Sequence, residues 1–506
     1  MAVTPPAARR VRPAAYGVFL AVFGVWLAAS HAPYLRLPFY WDELGQFVPA
    51  ALDLFREGAW VPRTAAPNVH PPGLMAYLAL VWSAAGYGIA VTRAAMLAVA
   101  AAAALFAFLL AIQLCREAPG RPAFAAAAFL CVSPLFFAQA MMAQLDMPAM
   151  LLTTVALLLF LQERMAGSIA ACTALVLVKE TGLIVPLVFA GWLWREGRRR
   201  EALRFLLPGI GLAAWLAVLE LRTGHLFGNR EFTDYNLLYP LHPVRLAVTL
   251  ARRLWYLFVG DFHWIGSAAL VWAWRRTALF SSRAWRIAWT VLAAHVALLT
   301  VTGGAALERY LLPVVPILYG GFAAAMAFWR KGPRHAAQLA LAAGLAAGIF
   351  WNPPYAFPLE NNLAFTDFVR LHQAAADYVE ARFPGRAVLT AWPLSAALAR
   401  PEFGYVRRKL PVRRLRDFRR ETLRAQDWNG RPVLILFNPA WQPRRDVLSW
   451  AGALRARFYN YEPGMTPAEV QAALPLKPAA RWEHNGQWIE VYAAPNETFW
   501  PERQER

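Results

Sequence analysis

AAMLAVAAAAALFAFLLAIQLC, residues Ala94–Cys115, contains no charged side chain, and it is long enough to cross a hydrocarbon core that needs roughly 20 apolar residues. Similar runs recur as far as Trp351, and 58% of the 506 residues are hydrophobic. The chain therefore reads as a polytopic α-helical membrane protein. Its formal charge of +20 raises nucleic acid as a partner. The arginines, however, fall in short clusters between apolar runs, WREGRRREALR, WRRTALFSSRAWR and WRKGPRH, which is how cytoplasmic loops are charged. This distribution argues for membrane lipids as partners and against nucleic acid. Cys115, Cys131 and Cys172 lie in or beside apolar runs, so neither a disulfide framework nor a zinc-ligand spacing is available.

Orientation turns on GLMAYLALVWSAA, Gly73–Ala85. Its length suits a re-entrant or interfacial helix better than a span. If it does not cross, every basic cluster falls on the inside; if it crosses, all fall outside. The positive-inside bias selects the first. The N-terminal stretch MAVTPPAARRVRPAAYGVFLAVFGVWLAAS resembles a signal peptide but leads into many further spans, so it reads as a first transmembrane helix with a cytoplasmic N-terminus. After residues 16–32 and 94–115, spans are expected near 122–142, 147–162, 165–178, 181–194, 205–221, 257–273, 287–303, 310–328 and 336–351, about eleven crossings in all. Beyond WNPPYAFPLE the pattern turns soluble. FTDFVRLHQAAADYVEARF has helical spacing, RAVLTAW and RPVLILFNPA read as buried strands, and RWEHNGQWIEVYAA as a hairpin turning at Asn485-Gly486. Two domains follow: a transmembrane domain over 1–355 and a small extracytoplasmic α/β domain over 356–506. The sequon Asn496-Glu497-Thr498 is read as a chance match.

Ionisable residues at a membrane edge are costly and mark function by default. The threading brings Asp42, Glu43, His70, Asp146, Lys179, Glu180, Glu308 and Arg309 to one outer level from distant parts of the chain, as if lining a polar cavity that opens outward. The stretch YWDELGQFVPAALDLFREGAW, Tyr40–Trp60, supplies the first two. Further candidates are Asp234 in NREFTDYNLLYP, and Asp261 with His263 in GDFHWIG, where an aromatic belt accounts for Trp264. Arg245, Arg252 and Arg253 stand on an outside amphipathic stretch, against the positive-inside bias, and suit a carrier phosphate or anionic headgroups.

YWDELGQF, NVHPPGLMAYL, AQLDMPAMLLTTVALLLFL, VKETGLIVP and ERYLLPVVPILY occur in the order found in the GT-C membrane glycosyltransferases. Over residues 15–350 the chain resembles the branch that includes the protein O-mannosyltransferases and the lipid A aminoarabinose transferase. The resemblance implies transfer of a sugar from a polyprenyl-phosphate-linked donor to a lipid, glycan or protein acceptor outside the membrane. It implies Asp42 as general base on the acceptor, with Glu43 orienting it or binding acceptor. The departing phosphate needs cations and donors rather than an acid, and His70, Lys179, Arg309 and Tyr310 are the candidates. Asp146 matches the second family acid, with acceptor binding, metal ligation and pairing to Lys179 or Arg309 all open to it. Where the aminoarabinose transferase carries a glutamate and a lysine before two prolines, this chain has Val69 and His70. No cofactor is certain, and a divalent metal stays open. A transporter or flippase for lipid-linked sugars is disfavoured by the lack of an internal repeat, and a glycan ligase is partly matched by the arginine-rich loop Arg222–Arg253. Heavy use of Ala and Arg points to a bacterial inner-membrane protein with a periplasmic C-terminus.

Overall fold

The computed structural model describes residues 13–351, 360–438, 457–459 and 464–495. The expected domain boundary at 355/356 and the sequon at Asn496 lie outside the described residues. The helices of the first part are α1 (Pro13–His31), α2 (Val48–Glu57), α3 (Gly73–Ala85), α4 (Ile89–Leu114), α5 (Pro122–Cys131), α6 (Pro134–Gln139), α7 (Asp146–Leu161), α8 (Met165–Val178) and α9 (Ile184–Arg195). They continue as α10 (Arg199–Arg204), α11 (Leu207–Thr223), α12 (Arg230–Thr233), α13 (Pro243–Phe258), α14 (His263–Arg276), α15 (Arg283–Val301), α16 (Val315–Met326) and α17 (Lys331–Gly348).

Among the described residues five helical segments are long and apolar enough to cross a membrane, Tyr16–Tyr34, Ile89–Leu114, Arg199–Thr223, Arg283–Val301 and Glu308–Met326, and six if α13 and α14 count as one span bent by 85°. The other expected spans are shorter helices or broken ones. The run expected at 122–142 divides into α5 and α6 at Pro134, because a proline supplies no amide hydrogen and its ring clashes with the preceding turn. The span expected at 257–273 begins instead at His263, after a bend where Asp261 and Phe262 take left-handed φ values of 48° and 64°. Gly73–Ala85 is a helix with the expected bounds.

Every residue of α16 is buried, packed among α4, α5, α14, α15 and α17. A Cβ on Gly266 would come within 2.3 Å of the Phe322 ring; only glycine lets α14 approach α16 this closely. The C-terminal part opens with α18 (Ala364–Arg382) and builds a sheet from β1 (Val388–Thr390), β2 (Val412–Arg414), β3 (Val433–Phe437), β4 (Lys477–His484) and β5 (Gln487–Ala493). The strand order is β2-β1-β3-β5-β4, parallel for β1 with β2 and β3 and antiparallel for β3–β5 and β4–β5. The β4–β5 hairpin turns at Asn485-Gly486, both with positive φ, the combination a tight hairpin turn demands. This unit docks on the loop before Asp42. Tyr405 donates its hydroxyl to the Phe39 carbonyl at 2.9 Å, and the Trp41 and Trp392 rings meet edge to face at 6.4 Å.

Candidate active site

The loop that carries Asp42 is clamped from beneath. Arg93, in the first turns of α4, donates Nη1 and Nη2 to the Glu43 carboxylate at 2.6 and 3.0 Å, and donates further to the carbonyls of Met141 and Pro38 at 2.9 and 3.1 Å. Glu43 also accepts from the backbone amides of Tyr40 and Ala143, at 2.8 and 2.7 Å. Both side chains are wholly buried. A buried ion pair holds only when its remaining hydrogen-bonding capacity is met, and here it ties together the loop 37–43, the start of α4 and the loop leading to Asp146. The expectation that Glu43 would orient Asp42 or meet an acceptor is corrected accordingly: its carboxylate is spent within this knot, and it acts on Asp42 through the backbone.

On the other side of that backbone, four sequence-predicted residues converge. The Arg309 guanidinium pairs with the Asp42 carboxylate, and its Nε stands 3.6 Å from Asp146 Oδ2. Lys179 pairs with the other Asp146 oxygen and lies 4.5 Å above the centre of the Tyr310 ring. The side chains of Arg309, Asp146 and Lys179 are buried, whereas that of Asp42 retains 20% of its surface, which makes it the open edge of the cluster. A residue that the sequence reading missed completes it: Glu360 places Oε2 3.1 Å from Arg309 Nε. The only sequence signal for Glu360 was an acid directly following the last apolar run. Three carboxylates thus share two cations, and among the described residues Nη1 of Arg309 and both Glu360 oxygens meet no hydrogen-bond partner in full geometry.

Next to this cluster His70 Nδ1 lies 2.8 Å from Glu180 Oε2. Burial alone would raise Glu180, but His70 and Lys179 outweigh it and hold its carboxyl below the usual range. The His70 ring meets Phe232 edge to face at 5.5 Å, and a narrow cleft beside it is lined by Gln46, Phe47, Trp60, Asn68 and Trp215.

Other candidates stand elsewhere. Asp234 is largely exposed and 3.7 Å from Arg230. His263 is buried, with Nδ1 2.8 Å from the Tyr256 carbonyl and Nε2 3.0 Å from the Tyr319 hydroxyl, which donates in turn to Ser133; this chain of bonds ties α14 to α16. Asp261 occupies the bend between α13 and α14. None of these three joins the cluster of Asp42, Asp146, Lys179 and Arg309. The arginines on α13 all bond within the protein, although Nε and Nη1 of Arg253 meet no partner among the described residues. Arg245 donates to the Tyr239 and Phe458 carbonyls, Arg252 pairs with Glu308 at 2.5 Å, and Arg253 donates to the Leu299 carbonyl at 2.9 Å. Among the described residues no group of three His, Cys, Asp or Glu side chains is arranged to hold a metal ion. Where Asp42, Asp146 and Glu360 converge, the Arg309 guanidinium takes the place of a cation, so this donor set does not fit a divalent ion.

The fold is similar to that of ArnT from Cupriavidus metallidurans bound to undecaprenyl phosphate, at 15% identity and a TM-score of 0.55 over 97% of this chain and 100% of that one. The apo state of ArnT from the same organism aligns at 17% identity and a TM-score of 0.52 over 95% and 98%. No protein-family model matches the sequence, and no curated protein does.

Proposed function

We propose that this chain, whose fold is that of the GT-C membrane glycosyltransferases, moves a sugar from a polyprenyl-phosphate donor to an acceptor outside a bacterial inner membrane. The observation that carries the reading is the cluster itself: two buried cations, one with an unpartnered N–H, opening through Asp42. Such a donor group suits a phosphate oxygen that gains charge as it leaves. In the reaction the acceptor oxygen bonds to the anomeric carbon as the bond from that carbon to the phosphate oxygen breaks. The phosphate departs with the electron pair beside Arg309 and Lys179, and the acceptor's proton passes to the Asp42 carboxylate.

Asp146 holds Lys179 in place, and Tyr310 forms the aromatic floor beneath that ammonium. His70, fixed by Glu180, borders the cleft in which an acceptor or sugar would lie. The C-terminal unit belongs on the periplasmic side, since it packs against the loop that bears Asp42. The test is sugar release from a panel of labelled polyprenyl-phosphate sugars by the purified protein in lipid. Wild type should turn over at least one donor, and Asp42→Asn should lose about 10²–10⁴-fold in kcat, the usual worth of a positioned base. Turnover by Asp42→Asn near the wild-type rate would overturn the assignment of the base.

A further inference from the structure

Glu360 enters the cluster from a strap that is anchored independently of its carboxylate. Gln139 Nε2 donates to the Glu360 carbonyl at 3.0 Å, and Asn361 Nδ2 donates to Glu308 Oε2 at 2.9 Å. Asn362 Nδ2 donates to the Trp351 carbonyl at 2.6 Å, and the amide of Leu363 to the Ile349 carbonyl at 2.9 Å. The backbone is therefore stapled to the ends of α6 and α17, while the buried carboxylate it delivers faces Arg309 with the Gln144 amide beside it and, among the described residues, neither oxygen in full hydrogen-bond geometry. Burying a carboxylate is costly unless it is both paired and hydrogen-bonded. A fixed backbone with an unsatisfied head is what a group needs if its partner changes during the working cycle.

We infer that Glu360 is the counter-ion which Arg309 exchanges for the donor phosphate. Ionised, it competes with the phosphate for the guanidinium; protonated, it releases the guanidinium and offers its own O–H to a phosphate oxygen. The inference rests on the donor reading above, and it makes the first residue of the C-terminal strap part of the donor site. Burial pushes the Glu360 carboxyl up to about 8 against the pull of Arg309, with Asp42 and Asp146 adding to the rise. The ionisable groups around it are Arg309, Asp42, Asp146 and Tyr40, with Glu308 behind Asn361. Burial holds the Tyr40 phenol well above its ordinary value. A phosphodiester donor keeps a single charge throughout, so the exchange places its pH dependence on Glu360. The sign follows: below about 8 the group carries a proton and the donor meets an uncontested Arg309, and above it binding must displace an anion or draw a proton from solvent onto Glu360.

The probe is methyl undecaprenyl phosphate, a singly charged phosphodiester, titrated into the full chain in phosphatidylcholine nanodiscs between about pH 6 and pH 9.5. Wild-type Kd should be level to about pH 7.5 and then rise by up to about tenfold per pH unit, while Glu360→Gln should bind with no such rise. Matching pH profiles for the two proteins would overturn the inference and leave the donor reading standing. Failure of wild type to bind the probe at any pH would overturn both. A second measurement on wild type alone guards against a misfolded variant: titration heats at pH 8.5 in buffers of different ionisation enthalpy should reveal uptake of up to about 0.8 proton per probe bound. Zero uptake there overturns the exchange.

Discussion

Arg93→Met tests whether the knot beneath Asp42 holds the site together. The substitution keeps the length and apolar stem of the side chain but removes five donated bonds, two to Glu43 and one each to the Met141, Pro38 and Leu37 carbonyls. Breaking a buried pair from one side costs about 3–5 kcal/mol, because the remaining charge is left without a counter-ion. Here the Tyr40 and Ala143 amides still point at the Glu43 carboxylate and offset about 1–2 kcal/mol. The net expectation is a loss of about 3 kcal/mol. Glu43→Gln removes the charge while retaining an acceptor oxygen, so adding it to Arg93→Met should recover part of the loss. The assay is equilibrium unfolding in one fixed detergent, followed by tryptophan fluorescence, for both single variants and the double. A coupling energy above about 1.5 kcal/mol is expected from the cycle. Additive single effects, or a loss under about 1 kcal/mol for Arg93→Met, would refute the argument that this pair is a buried, mutually dependent tie.

Two further outcomes follow from the same coordinates. Glu180 sits below its ordinary value through His70 and Lys179, so its contribution to stability is present above about pH 4.3 and lost as pH falls through the lowered folded value; the stability gap between wild type and His70→Gln should close on acidification, and a gap that widened toward acid would count against the pairing. Gly266→Ala drives a methyl into the buried Phe322 ring and should cost about 1–3 kcal/mol, whereas Gly191→Ala, with open space at its Cβ, should be neutral or stabilising by up to about 1 kcal/mol; equal effects in denaturant would show that α14 and α16 are not in close contact.

Much of the site was legible because it is built from exceptions to a simple rule. Asp42, Asp146, Lys179 and Arg309 stand out as charges in an apolar chain, and the structure brings them together. The sheet was legible for a similar reason: Val433–Phe437 is an unbroken apolar run and the Asn485-Gly486 pair marks its own turn. Glu43 and Asp42 look alike in sequence, yet their backbone sends one carboxylate down to Arg93 and the other toward Arg309. The bend before His263 was not legible, because nothing in GDFHWIG announces that two consecutive residues adopt left-handed φ.

The sequence alone, then, determined a multi-pass helical chain with a few charges set among its apolar runs and an α/β C-terminal part, since hydropathy, turn chemistry and the rarity of charge in a membrane are properties of short segments. Tertiary structure alone decided which charges meet. Arg93 reaches Glu43 across fifty positions of chain and Glu360 reaches Arg309 across fifty-one. A charge buried at low dielectric is defined by its partner, and partners that distant are chosen by how the helices pack, which no local pattern encodes.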